Sequence, residues 1–437
     1  MYRRLLFVLT SLALGGCGLL FDFPAESKLP GERISVLRFD RALQPDSELA
    51  RLPVRLPPPW ANPGWPQAGG LASHAMHHLE LGDAPSRAWR TSVGRGSNSE
   101  RRLLAQPVVA GNRVYTLDAS ARVYALEAAS GKRVWRKDLR PRNETEGTLG
   151  GGIAFAYGRL YVTTGFAEVL ALNADTGTVL WRRGVSGPMR AAPTVAEGRV
   201  FAVTIDNKTY ALAADDGRVL WTHTGMAEIA GLLGGASPAV ADGIVVVPYS
   251  SGELYALSAT NGRQLWTDFL ARPQRTSAVS TMADIQAAPV IDRGRVIGIS
   301  NSGSMVAIGL RSGARLWEQR ISGQQSPWVA GEFIYVMATN GDLVCLTRRD
   351  GRVRWVSVVP IYENEKKKTG LISWAGPVLA GDRLLLAGSH GEVLSISPYT
   401  GDLLSVIKMP DAVIIPPAVA NKTLYFLTDD ADLIALR

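Results

Sequence analysis

SRAWRTSV, from Ser86 to Val93, has the form of the last strand of a unit whose beginning is missing. The same arrangement, a Gly or a basic residue, then an apolar residue and Trp, recurs as GKRVWRKD, GTVLWRRG, GRVLWTHT, GRQLWTDF, GARLWEQR and GRVRWVSV. Each later copy closes a longer repeat, of which PVVAGNRVYTLDASARVYALEAASGKRVWRKDL, starting at Pro107, is the first. Further copies begin at Ile153, Pro193, Pro238, Pro289, Pro327 and Pro377. The Trp markers fall at Trp89, Trp135, Trp181, Trp221, Trp266, Trp317 and Trp355, at intervals of 38 to 51 residues. In the seventh repeat the slot holds Ser405. A constant core with variable spacing places the insertions in loops.

Each repeat reads as four short strands. An apolar run leads to a Gly turn, RVYTLD and RVYALE alternate with period two, and a turn such as ADTG leads to TVLW. The Gly of that last turn supplies a positive φ that other residues resist. Four antiparallel strands per repeat, many times over, predict a β-propeller. A parallel β-helix needs shorter repeats, and an α-solenoid needs helical periodicity, which is absent.

The final repeat, PAVANKTLYFLTDDADLIALR, carries three strands and stops at Arg437 where the fourth should begin. SRAWRTSV supplies that fourth strand. The expected fold is therefore all-β, an eight-bladed propeller of four-stranded blades, with the N-terminal strand paired to the C-terminal three. Closure of this kind removes two sheet edges that otherwise invite aggregation. The Trp of each fourth strand is expected to be structural, covering the gap between adjacent blades and burying roughly 150–250 Å2.

Composition fits this reading. The chain has 437 residues, 46% of them apolar, with 45 Gly and 25 Pro, which excludes a disordered chain. The net charge of +8 falls to about +6 without Arg3 and Arg4, since 8 − 2 = 6. It is scattered rather than clustered, so no nucleic-acid surface is expected. MYRR followed by LLFVLTSLAL reads as an export signal, too short to span a membrane. From there to Trp60 periodicity is weak, and LPVRLPPPWANPGWPQAGG is Pro-rich and extended, as in a semi-rigid spacer. The expected organisation is a signal over 1–16, a tether over 17–60 and the propeller over 61–437.

LGGC resembles the bacterial lipobox, which implies cleavage before Cys17 and acylation of its sulfur. Gly18 in place of Asp implies sorting to the outer membrane. Acyl chains contribute roughly 0.8 kcal/mol per buried CH2, so the mature protein would be tethered, not spanning. Cys17 and Cys345 are the two cysteines; with Cys17 acylated, no intramolecular disulfide forms. Cys345, in DLVCLT, is expected to be a small buried hydrophobe.

ALNADTGTVLW, Ala171 to Trp181, closely fits the A-x-[DN]-x-x-[TS]-G-x-x-x-W run of the pyrroloquinoline-quinone-type propeller repeat, and the chain from about residue 80 to 437 resembles that repeat family. Two groups share it. The quinoprotein dehydrogenases hold a quinone and Ca2+ on the axis with a catalytic Asp and often an adjacent Cys pair, which this chain lacks. The BamB family of lipoproteins matches in signal, lipobox, tether and blade count. That resemblance implies a non-enzymatic scaffold without cofactor, lipid-anchored on the periplasmic face of the outer membrane and monomeric within a hetero-complex. It implies binding to the periplasmic POTRA domains of BamA, with other lipoproteins of the same assembly machinery as further partners. The family's contact surface lies on loops beside the fourth and fifth blades, here EIAGLLGGASP (Glu228 to Pro238) and STMADIQAAP (Ser280 to Pro289). The matching candidates are Ile229, Leu232, Leu233, Asp284 and Gln286. The family pattern has Arg where Leu233 stands and an acidic residue where Gln286 stands.

Two other stretches attract attention. HAMHH brings His74, His77 and His78 close together, as a metal site would, but no further ligand cluster completes it, and packing along the propeller is expected instead. YENEKKKTG, Tyr362 to Gly370, is a charged insertion expected to be a solvated loop, with partner contact as the alternative. No Ser-His-Asp set, HExxH motif or paired carboxylates suggest catalysis.

Overall fold

In a computed structural model of the chain, residues 43–142, 144, 150–227, 234–270 and 284–437 are described. Eight four-stranded antiparallel sheets form the blades of a propeller. Blade one comprises Val108–Ala110, Arg113–Leu117, Arg122–Glu127 and Arg133–Asp138, from axis to rim. Blades two to seven follow in chain order, beginning at Gly151, Thr194, Ala239, Val290, Trp328 and Trp374. Blade eight joins Ala418–Ala420, Thr423–Leu427 and Asp432–Leu436 to an outer strand, Arg87–Ser92, from the other end of the chain. Trp89 pairs with Ala435 and Arg90 with Ile434, and the backbones of Ser86 and Arg437 exchange hydrogen bonds at 2.6 and 2.9 Å.

The period-two alternation has a more particular meaning than inside against outside. The two middle strands of a blade are buried on both faces, because a blade packs against a neighbour on each side. In blade one, Tyr115, Leu117, Val123 and Ala125 pack toward blade two. Val114, Tyr124 and Leu126 pack toward blade eight. Alternation thus assigns successive side chains to two different inter-blade cores.

The repeat motif can be decoded residue by residue. Its first and last positions are cross-strand partners, Ala171 opposite Trp181. The register slips between Trp181 and Val179, a β-bulge at Leu180 that re-aims the indole. The same slip occurs in the outer strand of every blade. Asn173 Oδ1 accepts from the N–H groups of Asp175 and Thr176, closing the turn. Gly177, at φ 72°, lies against the indole of Trp135, where a Cβ would come within 2.7 Å of the ring. Trp135 Nε1 donates to Ala174 O at 3.1 Å. Each Trp therefore seals its blade to the turn of the next. Cys345 occupies the small slot opposite Trp355 and is fully buried, which pushes its thiol pKa up.

Ser405 follows from the same geometry. The blade after it, blade eight, has no hairpin between its third and fourth strands, because the third, Asp432–Leu436, and the fourth, Arg87–Ser92, are distant in sequence. A Trp at 405 would have no turn to cover. Elsewhere an Arg opening the second strand binds the next blade's turn as well: Arg159 donates to Ala214 O and Asp215 O, and Arg295 to Arg348 O and Arg349 O. In blade seven, Arg383 donates instead to the carbonyls of Gly82 and Asp83, so the incoming chain stands in for the absent turn.

Residues 62–79 wind around the axis and touch the inner edge of every blade in turn. Asn62 bonds Val419 O and Asn421 N of blade eight, and Trp65 pairs with Val109 of blade one. Pro66 O accepts from Phe155 N, and Gln67 grips both backbone groups of Val195. Ala72 O and Ser73 O accept from Val240 N and Ile291 N. His77 O accepts from Trp328 Nε1, and Leu79 bridges to Ala380. This segment satisfies backbone groups that an open channel would leave bare. The compact body also reaches further toward the N-terminus than residue 61, since residues 43–60, assigned to the spacer by composition, lie against it. Asp46 N donates to Val353 O, and Arg352 binds Asp46 and Glu48.

The charged insertion is solvated but is a two-stranded hairpin, Tyr362–Asn364 with Thr369–Leu371. Glu365 accepts from the N–H groups of Ile361 and Tyr362, and Asn364 Oδ1 accepts from Lys367 N, so local side chains close the turn.

Three outcomes are expected. Trp266→Ala, which removes a buried indole bonded to Leu310 O, should cost about 3–5 kcal/mol in urea unfolding, while Ser405→Trp should bring no gain. Deletion of Ser86 to Val93 should open the ring and sharply lower the melting temperature; an unchanged Tm contradicts closure. The third concerns His74, which is buried and donates from Nδ1 to Pro289 O at 2.7 Å. Burial lowers its pKa from 6.5 to about 4. The unfolded chain takes up this proton first as pH falls, so the neutral ring's contribution is complete above about 6.5 and is lost on the way down to about 4. Relative to His74→Asn, whose amide tolerates the left-handed backbone at φ 62°, the wild type should lose about 3 kcal/mol between pH 7 and 4. Parallel pH curves for the two proteins contradict this.

Candidate functional site

In a four-stranded meander the one–two and three–four turns share one end, and the two–three turns and inter-blade crossovers share the other. The axial segment docks at the first end: Asn421, in the one–two turn of blade eight, donates to Asn62 O, and Gly381, in that of blade seven, donates to Leu79 O. The crossover end carries, on either side of blade four, the described roots of the connections that contain the two stretches marked in the sequence, Glu228 to Pro238 and Ser280 to Pro289: residues 225–227 and 234–238, and residues 270 and 284–289.

The root of the first loop is fixed by a buried polar cluster. Glu253 Oε2 accepts from Met226 N at 2.7 Å and Ser251 Oγ at 2.8 Å, and its Oε1 accepts from Tyr255 OH at 2.8 Å. Tyr249 OH lies 2.8 Å from Thr209 Oγ1 and 2.9 Å from His223 Nδ1. Asn207 Nδ2 donates to Met226 O, and Gly225 N donates to Asn207 O. Gly225 has no room for a side chain, since a Cβ would lie 2.4 Å from the Tyr249 ring. Burial lowers the His223 pKa, against the pull of the Glu253 charge, and raises that of Tyr249. The chain leaves this cluster with Met226 exposed. At the far end of the loop, Ser237 Oγ donates to Ala192 O, and Pro238 O accepts from Thr194 Oγ1.

Of the residues marked by the sequence, Ile229, Leu232, Leu233 and Cys17 lie outside the described residues. Asp284 and Gln286 are described and face different hollows. Asp284 is 5% exposed and lines a recess of about 170 Å3 between blades three and four, with Arg190, Ile205, Asn207 and Ser250. Gln286 is half-buried in the wall of a larger axial pocket of about 270 Å3. Gly234 and Gly235, which end the first loop, line both. The two hollows and the roots of both loops thus form one continuous surface.

The three histidines of HAMHH are used separately. His74 bonds Pro289 O, and His78 Nδ1 bonds Pro57 O at 2.8 Å. His77 Nε2 lies 3.4 Å from Asp292, which also pairs with the buried Arg348. Burial pushes the Asp292 carboxyl up, but the His77 contact and the Arg348 and Arg293 charges outweigh it and hold the pKa below the ordinary value. This chain of contacts ties the axial segment to blades five and six. Sequence reading did not find the Glu253 cluster. Its signal was WTHT and GELYAL in neighbouring repeats, a His and a Glu facing across a blade boundary.

The family model described as outer membrane protein assembly factor BamB matches residues 81–146 and 121–357. The BamB of Alkalilimnicola ehrlichii is 31% identical over 166 residues, 38% of this chain and 41% of the relative. That of Legionella pneumophila is 28% identical over 157 residues, 36% and 38% of the two chains. The aligned stretch thus spans about two fifths of these relatives. Among solved structures, BamB from Moraxella catarrhalis superposes with a TM-score of 0.69 at 17% identity, over 81% of this chain and all of the other. A europium-containing methanol dehydrogenase reaches 0.66 at 14% identity, over 83% and 89%. At such identities the superpositions speak for the propeller alone. On the family match, which spans more than half of its length, this chain belongs to the BamB family of outer membrane protein assembly factors.

Proposed function

We propose that this protein is a non-enzymatic scaffold of the outer-membrane β-barrel assembly machinery, anchored through Cys17 on the periplasmic side of the outer membrane. Its crossover face binds the POTRA domains of a BamA-like protein. The observation that carries this reading is the family match, joined to a face on which the first candidate loop springs from a root held by hydrogen bonds while the opposite end is occupied by the axial segment. Fixed roots limit the entropy that a loop loses when it binds. The apolar Ile229, Leu232 and Leu233 suit the buried centre of an interface, and the surrounding polar groups suit its rim.

The residues on the axis fit a quinone-and-calcium centre poorly. Among the described residues lining the axial pocket there is no carboxylate, whereas Ca2+ takes six to eight oxygen ligands, carboxylates prominent among them.

The test is co-purification from detergent-solubilised membranes. Wild type should bring down a BamA-like protein, and its absence contradicts the proposal. Leu232→Asp with Leu233→Asp should weaken capture by about tenfold or more, as expected when apolar anchors become charged, without lowering the Tm. Unchanged capture places the interface elsewhere.

A further inference from the structure

The axial pocket is a distinct feature of the crossover face. It holds about 270 Å3. An apolar cavity of about 150 Å3 is large enough to bind benzene, so a group larger than one aromatic ring fits here. Trp65, Ala68, Gly69 and His74 of the axial segment line its depth, which makes it a blind pocket entered from the crossover face. Its floor is held in place: Trp65 stacks on Trp328 with centroids 6.3 Å apart, and Trp65 Nε1 donates to Gln106 Oε1 at 3.1 Å.

The wall has two unlike sides. Leu104, Val378 and Ile414, from blades one, seven and eight, make one side apolar. Gln286, Gln324 and Gln325, from blades five and six, make the other side amide. Two of these amides have defined polarity. Gln324 Nε2 donates to Asn301 Oδ1 at 2.8 Å, which turns its carbonyl toward other partners. Gln325 Oε1 accepts from Gly376 N, which turns its NH2 outward. An acceptor and a donor on consecutive residues complement the N–H and C=O of a peptide group. A large apolar side chain on the same ligand meets the opposite wall.

We infer that the axial pocket is a peptide-binding site that takes a large apolar side chain against Leu104 and Ile414 and the flanking peptide group against Gln324 and Gln325. The group bound here is not a cation, since the described lining includes Arg190 and no carboxylate. This inference rests on the crossover face being the partner surface, and it adds a deeper contact: Gly234 and Gln286 place the pocket wall at the roots of both loops.

The test uses the full chain in detergent micelles and a capped tripeptide, acetyl-Gly-(p-benzoyl-Phe)-Gly-amide, as a photo-cross-linking probe. Cross-links should map to Leu104 or Ile414 and be competed by acetyl-Gly-Phe-Gly-amide. Ala288→Trp, which fills the pocket, and Ile414→Glu, which charges its apolar wall, should each reduce labelling by about tenfold, the scale of a lost apolar pocket contact, in whichever retains the wild-type Tm. Labelling outside the pocket, labelling that survives both substitutions, or competition by N-acetylglucosamine but not by the Phe peptide overturns the inference. No partner is needed, so failure here leaves the loop contact standing, and failure of Leu232→Asp with Leu233→Asp to affect capture leaves the pocket standing.

Discussion

The ring is held by one contact made seven times. Trp89, Trp135, Trp181, Trp221, Trp266, Trp317 and Trp355 each donate from Nε1 to a carbonyl in the turn of the next blade, at 2.7 to 3.2 Å. Each indole also covers a Gly with positive φ in that turn, where any side chain would strike the ring. The contact joins a large apolar burial to a satisfied polar group, so it is both strong and directional. It fixes the angle between blades, and that angle determines how many blades close the circle. At the single seam where the turn is missing the indole is missing too, and Arg383 with Gly82 and Asp83 takes over.

Closure of the ring and filling of its axis are consequences of one continuous path. The chain crosses blade six at Asp46, circles the axis from Asn62 to Leu79, passes Gly82 and Asp83 under blade seven, and becomes the outer strand of blade eight. The strand that closes the ring and the segment that fills its centre are thus neighbours in sequence. Along that path the buried His74 and the half-buried His77 are themselves blade contacts, to Pro289 O and Asp292. The path leaves the crossover face as the open end of the molecule, with the axial pocket and the roots of both loops exposed there.

Repetition made most of this legible. Blade count, the shared blade and the role of Ser86 to Val93 follow from comparing repeats, since a missing strand at one end matches a surplus strand at the other. The Ala171 to Trp181 run named both partners of the cross-strand pair and the Gly of the turn. What repetition could not show was anything used once. The axial segment has no periodicity, because each of its residues meets a different blade. Its Pro and Gly content reads as a spacer, yet the same residues let it curve tightly past eight edges. The alternation of RVYTLD and RVYALE signalled strands but not that both faces are buried. Asp284 and Gln286 were found as a pair, and only the fold separates them into a recess and a pocket.

Hydrogen–deuterium exchange on the chain alone and within the detergent-solubilised assembly tests this account most directly. Arg87 to Ser92 should exchange as slowly as Val179 to Gly184, the outer strand of blade two, in both samples, and the assembly should add protection on 225–238 and 270–289. Faster exchange in Arg87 to Ser92 than in Val179 to Gly184, or protection gained on the turns around the axial segment and not on those loops, contradicts it.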